Sequence, residues 1–172
     1  VHIGMDVNPD GFSLYGGKWD KEELLNRLDK MIQFTLDNRK SEVLYIDELG
    51  DLMDGWNAQT TRKGHDLPQN MDNQGAYDMA IEFKIRMLKS LVPYYDKIVC
   101  HNVCEDNHAG AFGYVVNSAF KKIAELMFES VEVVNQRKFI DHYSAPHNHT
   151  FILTHGKDSK NLKFGFKPNL DK

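Results

Sequence analysis

Carboxylate and imidazole side chains follow several apolar segments of this chain, and these residue types bind divalent metals and move protons. The apolar residues 43–46 lead into a Gly-Asp pair that contains Asp51, and Asp54 follows three positions later. A buried strand that ends in Gly-Asp places a carboxylate at the carboxyl end of a sheet, where open α/β folds collect their ligands. Three other short segments have the same character and contain His2, Asn107 and His155. The sequence therefore predicts one polar site built from separate strand ends.

The order of these segments along the chain carries more information than any one of them. They read Val-His-Ile-Gly at 1–4, Gly-Asp-Leu-Met-Asp at 50–54, Asp-Asn-His-Ala at 106–109 and Thr-His-Gly at 154–156. This order resembles the calcineurin-like metallophosphoesterase family, whose motifs are D-x-H, G-D-x-x-D, G-N-H-[ED], H-G and G-H-x-H. The resemblance implies hydrolysis of a phosphoester by a dinuclear metal site. In such sites, two cations about 3.5–4 Å apart activate a shared water as a bridging hydroxide and hold the phosphate for in-line attack.

The resemblance also assigns metal ligands residue by residue. His2 matches the His of D-x-H and would bind the first metal ion. Asp51 would bridge both ions, and Asn107 and His155 would bind the second ion. Oxygen and nitrogen ligands without thiolate suit two divalent ions of Mn, Fe or Zn.

Two further residues of the motifs are expected to act as a catalytic pair rather than as ligands. The resemblance implies that His108 protonates or stabilises the leaving oxygen and that Asp54 holds and orients it. A neighbouring carboxylate favours the imidazolium form that an acid needs near neutral pH.

Three departures from the family pattern leave a second hypothesis open. The Asp of D-x-H would fall before Val1, and no G-H-x-H occurs before Lys172. The third motif also lacks its flanking Gly and acid. We expect a longer parent protein that is trimmed at both ends. The alternative is a non-catalytic binding or assembly domain that retains an incomplete metal site.

A run of lysines after His155 bears on the substrate. Lys157, Lys160 and Lys163 stand near Phe164 and Phe166. Basic groups interleaved with aromatic rings are typical of single-strand nucleic-acid binders, so we expect these lysines to bind substrate. A solvated loop is the alternative. The pattern favours a phosphodiesterase or nuclease of a phage or bacterial system, acting on nucleotides or DNA, over a phosphomonoesterase.

Hydrophobic periodicity predicts an α/β fold, a layered sandwich of two mixed β-sheets flanked by helices. The expected helices are 18–38, with Asp20 as its cap, 76–91 and 114–128; the expected strands are 43–49, 97–101, 131–134, 139–143 and 151–154. The polar residues 57–73 predict an insertion or lid loop. In the third helix, the residues expected to face the core are Val115, Ala119, Ile123 and Met127.

Composition sets the remaining expectations. The 172 residues, 41% hydrophobic with a net charge of −4, fit a single domain over 1–172. No segment approaches the roughly 18 apolar residues of a membrane helix, so no membrane partner is expected. Cys100 and Cys104 give no disulfide framework, which favours a reducing, cytoplasmic compartment. Both thiols are expected to be buried and inert, because a zinc site would need a fourth ligand.

Overall fold

The computed structural model describes residues 1–7, 17–136, 139–144 and 149–156. These residues confirm the α/β class, with three helices and five strands among them. None of the described helices combines the length and the hydropathy that a membrane span requires. In chain order the elements are α1 (Lys21–Asp37), β1 (Val43–Glu48), α2 (Asn73–Leu91), a 3-10 turn (Val92–Tyr94), β2 (Lys97–Val103), α3 (Ala111–Met127), β3 (Val131–Gln136), β4 (Phe139–Ser144) and β5 (His149–Thr154).

The strands of the described residues form two separate sheets. β1, β2 and β3 make a parallel sheet in that order, and β4 pairs with β5 in an antiparallel hairpin. One sheet is entirely parallel and the other is antiparallel, whereas the sequence predicted mixed sheets. Because β1, β2 and β3 run the same way, the loops that follow them leave from one edge of the sheet. That edge carries the predicted site residues of the first two strands.

Local sequence signals explain where the first helix begins and which side is buried. The Asp20 carboxylate accepts a hydrogen bond from the Glu23 N–H at 2.9 Å, which caps the amino end of α1 as predicted. Leu24, Leu28 and Ile32 are spaced by four residues and are all buried. Their side chains lie in the same hydrophobic core as the inward side of β2 and β3.

The prediction for the buried side of α3 is wrong for Val115 and Met127, whereas Ala119 is half-buried and Ile123 is partly buried against the core. Val115 is 55% exposed and Met127 is 47% exposed. The neighbouring row of the same helix is buried instead: Gly113, Val116, Asn117, Phe120 and Ala124. Gly113 gives the reason, because a Cβ there would lie 2.5 Å from the Cys104 carbonyl oxygen. The helix backbone thus approaches the end of β2 at its glycine, and this close approach fixes the rotation of the helix.

A lysine lies inside the core, where the sequence analysis did not expect one. Lys84 of α2 is 3% exposed, and its Nζ donates to Glu48 Oε2 at 2.8 Å. It also donates to Asn102 Oδ1 at 2.8 Å and to Asn117 Oδ1 at 2.5 Å. Each of the three ammonium hydrogens therefore has a hydrogen-bond acceptor. The Nζ atom also lies 4.3 Å from the centre of the Phe120 ring. This lysine joins α2 to β1, β2 and α3.

We expect both thiols to be unreactive in the folded protein. Cys100 and Cys104 are each 1% exposed, and burial raises the pKa of Cys100 to about 11 and that of Cys104 to about 12. Because the thiolate is the nucleophile, alkylation by iodoacetamide at pH 8 should be at least about 100-fold slower in the native protein than in urea. Mass spectrometry of the labelled protein measures both rates. Rapid labelling of either cysteine before unfolding would contradict this.

Candidate metal centre

The loop that follows β1 places Asp51 at the edge of the parallel sheet. Gly50 has a φ of 95° and Asp51 a φ of 52°, so the chain turns sharply there. A Cβ at Gly50 would come within 2.8 Å of His155 Nδ1, so glycine is required by space as well as by conformation. A left-handed conformation costs a non-glycine residue about 1–2 kcal/mol. Such strain at a polar residue is a feature of functional sites.

The first residues of the chain bring His2 beside Asp51. Ile3 forms a parallel bridge with Met53, and the His2 N–H donates to the Asp51 carbonyl at 2.8 Å. His2 also has a left-handed φ of 57°. Its Nε2 lies 3.5 Å from Asp51 Oδ2. Two segments about 50 residues apart in sequence thus place their polar side chains together.

A third carboxylate, which the sequence analysis did not identify, holds the two central loops in place. Asp106 is 2% exposed, and its Oδ2 accepts the N–H of Asp51 at 2.9 Å. Its Oδ1 accepts the N–H groups of His108 at 2.9 Å, Ala109 at 2.7 Å and Gly110 at 3.2 Å. Asp106 therefore fixes the loop after β1 against the loop after β2.

A sequence signal for this role does exist. Asp106 precedes Ala109, Gly110 and the first residue of α3, and aspartate ahead of a helix commonly bonds free backbone N–H groups. In the motif that Asn107 and His108 resemble, Asp106 stands where the family has a glycine. The bond to the distant Asp51 N–H has no local signal.

His155 is held in one tautomer by a backbone contact. Its Nδ1 lies 2.8 Å from the carbonyl oxygen of Leu49, which can only accept, so Nδ1 carries the proton and donates. The Nε2 of a neutral ring is then an acceptor. It lies 2.5 Å from Asn107 Oδ1 and 3.5 Å from Asp51 Oδ1. Three acceptor atoms therefore converge, an arrangement that a proton or a metal cation stabilises.

His108 is also held through Nδ1, but the main contact differs from the predicted one. Nδ1 lies 2.6 Å from the backbone carbonyl oxygen of Asp54 and 3.6 Å from its carboxylate Oδ1. The ring packs edge-on against His2, with the centroids 4.7 Å apart. Ligand atoms of His2, Asp51 and His108 all lie within 4.8 Å of one another. The non-ligating role of His108 stays a prediction.

The two aspartates of the Gly-Asp loop have pKa values shifted in opposite directions. Burial raises the pKa of Asp51, but the hydrogen bond from His2 and the charges of His155 and His108 outweigh it, so the pKa is lowered. At Asp54, burial outweighs the attraction of His108 and His2, and the pKa is raised. In many active sites, one carboxylate stays ionised and acts as a nucleophile or metal ligand, while a second one with a raised pKa takes part in proton transfer. The opposite pKa shifts of Asp51 and Asp54 are typical of such sites.

The predicted insertion lies against this centre. Between β1 and α2 the chain forms turns and isolated bridges, and Gln59 pairs with both Trp56 and Asp66. The Thr61 N–H donates to the His108 carbonyl at 2.9 Å, so the loop is anchored beside the predicted site. A closing motion of the loop stays a prediction.

The lysines predicted to bind substrate, Lys157, Lys160 and Lys163, lie outside the described residues. Their role in substrate binding stays a prediction from the sequence.

Comparisons with known proteins assign no family. No family model matches the chain, and neither curated proteins nor solved structures give a match.

The donor atoms fit a divalent cation on structural grounds. Asp51 Oδ1 is buried, and it is the one buried side-chain oxygen or nitrogen in the described part of the chain that lacks a hydrogen-bond partner. His155 donates Nδ1–H to the Leu49 carbonyl oxygen. Metal-binding histidines commonly make this outer contact, which leaves Nε2 for the metal. The nitrogen and oxygen atoms present suit Mn, Fe or Zn.

Proposed function

We propose that this chain is the catalytic core of a metal-dependent phosphoester hydrolase of the calcineurin-like metallophosphoesterase type. The observation that supports it best is the position of the Asp51 carboxylate between two donor sets. Oδ2 lies 3.5 Å from His2 Nε2, and Oδ1 lies 3.5 Å from His155 Nε2, which itself lies 2.5 Å from Asn107 Oδ1. A carboxylate with a different donor set at each oxygen suits a bridge between two metal ions.

Each residue has a definite task in this proposal. His2 and Asp51 would hold one ion, while Asn107, His155 and the same Asp51 would hold the other. When bound, the two ions would activate water and stabilise charge on the phosphate. The chain supplies the fixed geometry, because Asp106 bonds the N–H groups of both central loops.

His108 supplies the proton in this proposal. Its Nδ1 is engaged by the Asp54 carbonyl oxygen, so Nε2 is the atom that donates to the leaving oxygen and later regains a proton. The Asp54 carboxylate Oδ1 also lies 3.6 Å from this Nδ1. Asp54 is thus a positioning residue in this scheme, acting through its backbone as well as its side chain.

Hydrolysis of chromogenic esters tests the function, with His108→Asn as the deciding variant. With added Mn²⁺, we expect the wild-type protein to hydrolyse bis(p-nitrophenyl) phosphate faster than p-nitrophenyl phosphate, as a phosphodiesterase would. His108→Asn should lower kcat by about 10²–10⁴ because the general acid is lost. Bound metal, measured by inductively coupled plasma mass spectrometry, should not change.

A second His–Asp pair provides the control for this variant. His101 lies 3.0 Å from Asp47 through Nδ1 and Oδ1, and neither residue belongs to the centre. His101→Asn should keep the wild-type kcat. Loss of metal from His108→Asn would reassign His108 as a ligand. Metal-bound wild-type protein that hydrolyses neither ester would favour a binding domain instead.

A further inference from the structure

A basic turn lies beside the proposed metal centre and has no role in the mechanism above. The loop between β1 and α2 carries Arg62 and Lys63 at its tip. With Thr60, His65 and Asn107, they line a pocket of about 270 Å³. Asn107 belongs both to this pocket and to the proposed metal centre, so the two spaces adjoin.

Hydrogen bonds within the turn fix its shape. Thr60 Oγ1 donates to the Arg62 carbonyl at 2.8 Å and accepts the His65 N–H at 3.0 Å. The Gly64 N–H donates to the Thr60 carbonyl at 3.1 Å. Lys63 and Gly64 have φ values of 72° and 61°, which close the turn tightly. The two cationic side chains therefore project from a defined backbone.

The turn is also attached to the loop that carries Asn107. The Arg62 N–H donates to the Asn107 carbonyl at 3.3 Å, and the Thr61 N–H donates to the His108 carbonyl at 2.9 Å. Gly110 admits this contact, because a Cβ there would lie 2.6 Å from Thr61 Oγ1. The basic turn is thus held in place relative to the proposed catalytic residues.

Within the described part of the chain, no ion pair neutralises the charges of the turn. Arg62 and Lys63 are exposed, and neither forms an ion pair with any residue in the described ranges. The carboxylate of the nearby Asp66 accepts a hydrogen bond from Gln59 at 3.0 Å. In a chain of net charge −4, two adjacent exposed cations at an open pocket, with no ion-pair partner among the described residues, indicate an anionic ligand.

We propose that the basic turn binds a second phosphate of the substrate, next to the phosphoester held at the metal centre. The substrate class is then a single-stranded oligonucleotide, whose neighbouring phosphates occupy the centre and the turn together. The open pocket and the exposed cations suit a flexible strand that continues past the site. This proposal rests on the proposed function and specifies its substrate.

The test compares a substrate of one phosphate with a substrate of many. In Arg62→Ala/Lys63→Ala, we expect the ratio of kcat/KM for a short thymidine oligonucleotide to that for bis(p-nitrophenyl) phosphate to fall about tenfold. The slope of log KM for the oligonucleotide against log salt should decrease by about 0.7, the contribution of the one phosphate that the turn would bind on a single strand. An unchanged ratio and slope would overturn the proposal.

A matched double variant controls for the loss of two positive charges. Lys40 precedes β1 at the opposite edge of the sheet, and Lys122 is exposed on α3. Lys40→Ala/Lys122→Ala should keep the wild-type ratio. An equal fall in this control would also overturn the proposal, because the effect would then come from overall charge.

Binding separates this proposal from the proposed function. If the wild-type protein hydrolyses neither substrate, fluorescence anisotropy of a labelled thymidine oligonucleotide still decides the matter. Binding weakened in the Arg62/Lys63 variant but not in the Lys40/Lys122 variant would support the subsite without the activity. Equal binding by all three proteins would refute it.

Discussion

Asp51→Asn should lower kcat/KM for bis(p-nitrophenyl) phosphate by at least about a thousandfold, since a metal site supplies several kcal/mol of transition-state stabilisation. The amide keeps the shape of the carboxylate but removes the charge that faces His2 and His155, each at 3.5 Å. Bound metal should fall with activity. Initial rates with added Mn²⁺ and mass spectrometric metal analysis measure the two effects.

An aspartate of β1 provides the comparison. The Asp47 carboxylate is hydrogen-bonded to His101 and lies outside the centre. Asp47→Asn should therefore keep the wild-type kcat/KM and the wild-type amount of bound metal. Circular dichroism should show both variants folded. Full turnover by Asp51→Asn with metal still bound would show that the chemistry does not use this carboxylate.

Lys84→Met should lower the free energy of unfolding by about 3–5 kcal/mol, the effect expected when one partner of a buried ion pair is removed. The change leaves the Glu48 carboxylate without its cation at 2.8 Å. It also leaves acceptor oxygens of Asn102 and Asn117 without a donor. Since small domains have about 5–15 kcal/mol in total, much of the protein should unfold at low denaturant. Urea titration followed by circular dichroism measures the loss.

Two comparisons isolate the buried charge. Lys89 is exposed on the same helix, and Lys89→Met should change the free energy of unfolding by no more than about 0.5 kcal/mol. Lys84→Met/Glu48→Gln should be more stable than Lys84→Met, because no uncompensated carboxylate remains. A loss below about 1 kcal/mol in Lys84→Met would show that water reaches the network.

Sequence patterns predicted the parts of this site that depend on local signals. The apolar run before Gly50 indicated that Asp51 ends a strand, and β1 ends at Glu48. The same reasoning placed Asn107 after β2 and His155 after β5. Parallel strand ends meet at one sheet edge, so strand order and direction were enough to expect the first two side chains near each other.

Contacts between distant segments and contacts to backbone atoms could not be predicted in this way. Lys84 lies in an amphipathic helix, where a lysine usually marks the solvent side, and its partners are 18 to 36 residues away. The Asp54 contact to His108 runs through a carbonyl oxygen, which every residue possesses. In α3 two adjacent apolar rows were available. The space beside Gly113, set by tertiary packing, selected between them.

The four hydrogen bonds of Asp106 have a consequence for the conformational entropy of the centre. Asp51 and Asn107 are separated by 55 residues of chain, so covalent connectivity alone would let their loops move independently. One carboxylate links the two loops, and their opening becomes a single event rather than two. The two loops are therefore ordered during folding, and a cation bound at the proposed centre would not have to assemble them.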